Sequence, residues 1–172
     1  MKKVWFFIFC LIFGFLFWCG KRFDFQNFQQ YNNTLIAFQE DAVSQLEEYY
    51  KKIETISNAE ELSGYYLETF LRFGELYHSV EAEKSWDGDA SLKTALASYL
   101  SWLQLAFEHY EKPIVEKMWA FSGENKNYYR ESKALVQESS LLFARELARL
   151  DKLLEIEYSA FLQKYNSELS SH

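Results

Sequence analysis

FQQYNNTLIAFQEDAVSQLEEYYKKIETI, residues 28–56, is the stretch that decides the fold. Phe28, Tyr31, Leu35, Phe38, Ala42, Leu46, Tyr49, Ile53 and Ile56 recur at steps of three or four. At 3.6 residues per turn they share an arc of about 80°, which predicts an amphipathic helix from near Asp24 to Ile56 with one buried stripe. Ile36, Val43 and Tyr50 widen that face at steps of seven, so the helix must touch at least two neighbours.

Downstream, Ser57-Asn58-Ala59-Glu60-Glu61 reads as a break and restart, with Asn58 capping a new helix and Glu61 reaching back. Leu62, Tyr66, Phe70, Phe73, Tyr77 and Val80 form its stripe. Gly64 and Gly74 each weaken it by about 1 kcal/mol relative to Ala and suggest close backbone approach at a crossing. Trp86-Asp87-Gly88-Asp89 is a turn, with Asp89 as N-cap of a third helix carrying Leu92, Leu96, Tyr99, Leu103, Ala106, Tyr110, Ile114 and Phe121. Pro113 predicts a kink or short break in it, and Gly123 suits the position just past its end. A last helix from near Asn127 to Ser167 contains neither Gly nor Pro. Its stripe is Val136, Phe143, Leu147, Leu150, Leu154, Phe161 and Tyr165, flanked by Leu135, Leu142 and Leu153. No stretch alternates as a strand would. Four long helices with short connections predict an all-α, antiparallel up-down four-helix bundle over residues 20–172.

Residues 1–19 have a different character. Lys2 and Lys3 precede an apolar run from Val4 to Trp18, the pattern of an export signal or membrane anchor. Val4–Cys19 is 16 residues, which as a helix reaches about 24 Å against a hydrocarbon core of about 30 Å. Leu16-Phe17-Trp18-Cys19-Gly20 resembles the lipobox of bacterial lipoproteins, in which the cysteine is lipidated, although Trp18 stands where Gly, Ala or Ser is usual. Cys10 and Cys19 both lie in this segment, so no cysteine of the domain can pair with Cys19. Lipidation of Cys19, an uncleaved short anchor and simple secretion are the three fates. Lys2 and Lys3 before the run balance Lys21 and Arg22 after it, so charge does not orient the segment. The expectation is an exported domain held at the membrane of a bacterial cell envelope, periplasmic or at the surface.

Composition narrows the partners. Without residues 1–20 the chain carries 16 basic and 25 acidic residues, a net charge of −9. Such a domain repels phosphate backbones, which disfavours nucleic acid. It retains 10 Phe, 12 Tyr and 3 Trp, most of them on the stripes and so assigned to the core. Trp102, Trp119, Leu67, Leu71, Leu141 and Ile156 point away from it, and a cluster of these would mark a protein-partner surface.

Candidate chemistry is sparse. Glu75 and His78 match the Glu-x-x-His spacing of di-metal carboxylate bundles, with Glu108 and His109 on the next helix as conceivable additions. Such sites need two such pairs, only one is present, and it lies at the edge of its stripe. Surface polar residues are the simpler reading. Asn32-Asn33-Thr34 fits a glycosylation sequon but lies inside a predicted helix, and His172 is terminal. No nucleophile elbow, phosphate loop or zinc spacing occurs, so nothing reads as an enzyme and no cofactor is implied.

Gln30-Tyr31-Asn32-Asn33-Thr34-Leu35-Ile36, continuing through Leu46-Glu47-Glu48-Tyr49-Tyr50, resembles the YiiG-like family of bacterial lipoproteins, with a Tyr-Asn motif early in a long helix and a Leu-x-x-Tyr after it. Lys164-Tyr165-Asn166 echoes the Tyr-Asn element in the last helix. The resemblance covers the first and last helices. It implies an all-helical, lipid-anchored envelope protein of unknown function, without catalytic residues. The reading is thus a non-enzymatic binding or structural module. A carrier of a small apolar or aromatic ligand between helices is the alternative, and a metal-dependent bundle enzyme at Glu75 and His78 a weaker one.

Overall fold

The computed structural model describes residues 2–53, 55, 58–121 and 128–170, with side chains over 26–53, 55, 58–119 and 138–165. Four helices pack against one another: α1 (Lys2–Ile53), α2 (Ala59–Ala82), α3 (Ser91–Phe121) and α4 (Tyr128–Ser170). Among the described residues there is no strand, only an isolated bridge between Trp86 and Asp89. Ring contacts fix the directions. Phe28 near the start of the α1 stripe meets Trp86 after α2 and Tyr165 late in α4, whereas Tyr49 and Tyr50 near the end of α1 meet Phe107 and Phe143. Successive helices therefore run antiparallel, and the structure is the all-α four-helix bundle the stripes predict.

The core follows those stripes with informative exceptions. Phe28, Leu35, Ala42, Leu46 and Tyr49 of α1 are buried, as are Leu62, Phe73 and Val80 of α2. On α3 the expected Leu92, Leu96, Tyr99, Leu103 and Ile114 are buried, but the face is wider: Ala97, Leu100, Phe107 and Glu111 are buried too, while Ala106 and Tyr110 are only half-buried. Contact with α2, α4 and α1 together makes this helix bury more than one stripe. Leu142 and Leu153, expected beside the α4 stripe, are exposed, because α4 packs mainly on α3 and leaves its flanks to solvent.

Helix ends differ in detail from expectation. α1 begins at Lys2, not near Asp24, and its backbone passes the 19/20 boundary as helix; it ends at Ile53. Asn58 does cap α2, its Oδ1 accepting the Glu61 N–H at 2.7 Å, but Glu61 reaches back to the Asn58 side-chain amide, not its backbone. α3 continues through Pro113 without a break. Pro113 and His109, whose carbonyl loses its helical donor there, are both exposed, so water can satisfy it. The glycines mark no close backbone approach. Nothing lies within 4 Å of a Cβ built on Gly64, and Gly74 makes room for the Gln104 side chain, which donates to the Phe70 carbonyl at 3.0 Å.

At the turn, Asp87 and Gly88 both have positive φ (46° and 77°) and the Asp89 N–H donates to the Trp86 carbonyl at 2.7 Å, as a type I′ turn requires. Asp89 caps α3 from one position further out than an N-cap, accepting the Ser91 N–H at 2.8 Å. Its other oxygen accepts Lys164 Nζ at 2.6 Å and the Tyr165 hydroxyl at 3.2 Å, joining the turn to α4. The Lys164 ammonium and the Ser91 donors hold the Asp89 carboxyl well below the usual range. The Tyr-Asn motif of α1 lies at this same end, where Asn32 donates to the Tyr158 hydroxyl at 2.5 Å and the Tyr31 ring lies tilted against Phe161. That bond occupies the sequon asparagine.

Candidate functional site

The one charged residue with no exposure among the described residues is Glu111. It follows Leu103 and Phe107 at steps of four and precedes Ile114, and all three are buried, so helical spacing alone carries its carboxyl into the core. The C-terminal end of α1 supplies its partners. Tyr50 Oη donates to Oε1 at 2.8 Å and Tyr49 Oη donates to Oε2 at 3.1 Å. Ser140 of α4 in turn hydrogen-bonds the Tyr50 side chain.

Two effects oppose each other at this group. Burying a carboxylate costs several kcal/mol even after relaxation, whereas each hydrogen bond to a charged acceptor returns about 1.5–3 kcal/mol. Burial wins: the Glu111 carboxyl is pushed up, against the opposing effect of its Tyr50 and Tyr49 hydrogen bonds. Burial, and then the Glu111 charge, push both tyrosines up as well, and burial pushes Tyr66 on α2 up to about 12. No ion pair reaches Glu111 among the described residues. The arrangement can bind and release a proton, and it ties α1 to α3 and α4. With no exposed surface, the carboxyl presents itself to nothing larger.

Rings close the space beside it. The Phe107 centroid lies 4.9 Å from that of Tyr49, 5.4 Å from those of Tyr66 and Phe73, and 6.1 Å from that of Phe143.

The metal candidates are not brought together. Glu75 and His78 are exposed on the outer side of α2. Glu75 pairs with Arg72 at 2.9 Å, and the same guanidinium reaches Asp41 of α1 at 2.7 Å. Glu108 turns to Lys112 at 3.0 Å, and His109 packs edge-on against Tyr110. Among the described residues no three His, Cys, Asp or Glu side chains group as metal ligands. The off-stripe residues are exposed as expected: Leu67, Leu71, Trp102 (57 %), Trp119, Leu141 (66 %) and Ile156. Leu105, which the sequence reading passed over, joins them.

The sequence carries only a partial signal for Glu111. That residue falls about 20° from Leu100 on the helical wheel, but choosing Tyr110 for the stripe pointed the adjacent glutamate outward. Ile56, Gly123 and His172, and the side chains of Cys19, Phe121, Leu135 and Val136, lie outside what the structure describes. Among the residues whose side chains are described, no helix is long and apolar enough to cross a membrane. Comparison with protein-family models, curated proteins and solved structures finds no match.

Proposed function

We propose that this chain is a non-enzymatic helical module of a bacterial cell envelope, held at the membrane by its N-terminal segment and presenting apolar side chains to a protein partner. The observation that carries the reading is the arrangement of exposed apolar residues on α2, α3 and α4. They are not scattered singly: Leu67 and Leu71, Trp102 and Leu105, and Leu153 and Ile156 each share a helix face at steps of three or four. Large apolar and Trp side chains on exposed faces suit recognition of another protein. The ring packing around Phe107 supports a module over a ligand carrier, because the aromatics contact one another where a ligand would have to sit. The outward pairing of Glu75 with Arg72 likewise weighs against a metal enzyme. Membrane attachment rests on Lys2, Lys3, the Val4–Trp18 run and Cys19. The YiiG-like resemblance points the same way.

Labelled palmitate fed to cells producing the full chain tests the anchor. Label in the wild type, absent from Cys19→Ala, is the expected result. Unlabelled protein recovered in the soluble fraction would overturn membrane attachment, whereas unlabelled membrane protein retaining Met1 would assign an uncleaved anchor. For the surface, Trp102→Ser with Leu105→Ser should abolish partner capture and leave the melting curve unchanged.

A further inference from the structure

We infer that α1 carries a self-association seam, Gln26, Gln30, Asn33 and Ala37, along which two copies of this chain pair in parallel. All four residues are exposed. They recur at steps of four, three and four, the spacing of alternating core positions in a coiled coil, and share an arc of about 60° on the side away from Phe28, Leu35 and Ala42. The face is open and nearly flat, with Gln29 and Thr34 beside the seam.

Charge identifies the occupant. A quarter of the chain is charged, yet Gln26 to Gln39 contains no charged residue. In a parallel, in-register pair each side chain meets its own counterpart, so any charge on the seam would repel itself. A carboxamide both donates and accepts, so Gln opposite Gln and Asn opposite Asn satisfy one another. In an apolar seam a single Asn fixes register at a cost in stability; here carboxamides fill three of the four positions, so the pairing is specific but weak. The next seam position is Glu40, exposed and acidic, which ends the contact. A heterologous partner would impose no such neutrality.

Residues 26–37 make only about three turns, some 18 Å of helix, less than the roughly 800 Å² per partner of a standard stable interface. Pairing therefore depends on the two chains sharing a membrane, which raises their effective concentration and sets them parallel. To that extent the inference rests on the proposed anchoring.

The test places a photo-crosslinking amino acid at Asn33 of the full chain in cells, with Lys152 on the exposed side of α4 as the control position. An adduct of twice the chain mass from Asn33 and not from Lys152 is expected. Adding Gln30→Lys should reduce it by at least about tenfold, because like charges then face each other. Co-producing Gln30→Lys and Gln30→Glu chains should restore it. No adduct at Asn33, an adduct of another mass, or equal yield from Lys152 overturns the seam. Fractionation of the same cells scores the anchor separately, so a soluble protein that still crosslinks at Asn33 keeps the seam and loses the membrane reading. Unchanged helical content in Gln30→Lys excludes unfolding as the cause.

Discussion

Glu111 and Asp89 are two carboxyls displaced in opposite directions, and together they shape how stability should vary with pH. Glu111 is raised by burial, so the folded state holds its proton more tightly than the unfolded chain. Its contribution is fully present below the ordinary value of 4.5 and is lost as pH rises through the folded value. Asp89 is lowered by Lys164 and Ser91, so its contribution is present above the ordinary 3.8 and is lost as pH falls toward its folded value. Melting temperature should therefore decline from mildly acidic pH toward neutrality, and Glu111→Gln should flatten that limb while leaving the acid limb intact. A Glu111→Gln protein with the wild-type slope above pH 4.5 would show that the carboxyl is not the cause. Tyr49, Tyr50 and Tyr66 face the group from α1 and α2 and stay protonated across this window, so they do not obscure the result. Single residues of this kind are the hardest to read from sequence. Exposed Glu75 and buried Glu111 both flank a helical stripe, and only the neighbours that cover the helix separate them.

At the scale of elements, the two glycines of α2 make a clean comparison. Gly64 has open space where a Cβ would go, so Gly64→Ala should stabilise the protein by roughly 0.5–1 kcal/mol through helix propensity alone. At Gly74 the added carbon would sit 3.2 Å from Gln104 Nε2 and disturb the bond from that amide to the Phe70 carbonyl. Gly74→Ala should gain nothing, or lose about 1 kcal/mol if the Phe70 bond breaks. Denaturant midpoints of the two variants decide it, and equal gains at both sites would show that Gln104 yields freely. The existence and type of the helices after residue 24 were legible in their periodicity, as was the Asn58 cap. The start of α1 was not, because the Val4–Trp18 run is apolar on every side and carries no period from which to read a face.

For the whole molecule, the Phe107 cluster is where all four helices meet: Tyr49 from α1, Tyr66 and Phe73 from α2, Phe143 from α4. Phe107→Ala should cost about 3–5 kcal/mol, since the one ring it removes touches all three other helices. Leu141→Ala, on a residue two-thirds exposed, should stay within about 0.5 kcal/mol. Chemical denaturation measures both, and a small effect at Phe107 would mean the bundle repacks around the gap. The amino-acid sequence by itself determined the all-α class, the number of helices in the bundle and most of the buried positions. Hydrophobic period and breaker placement are local properties, and each helix carries its own. Only the tertiary structure decided which flank of each stripe is covered, that Glu111 is sealed beneath two tyrosines, that Glu75 and His78 face solvent, and that the amide face of α1 is left open. Those outcomes depend on the angle at which one helix lies against the next, and no single helix contains that angle.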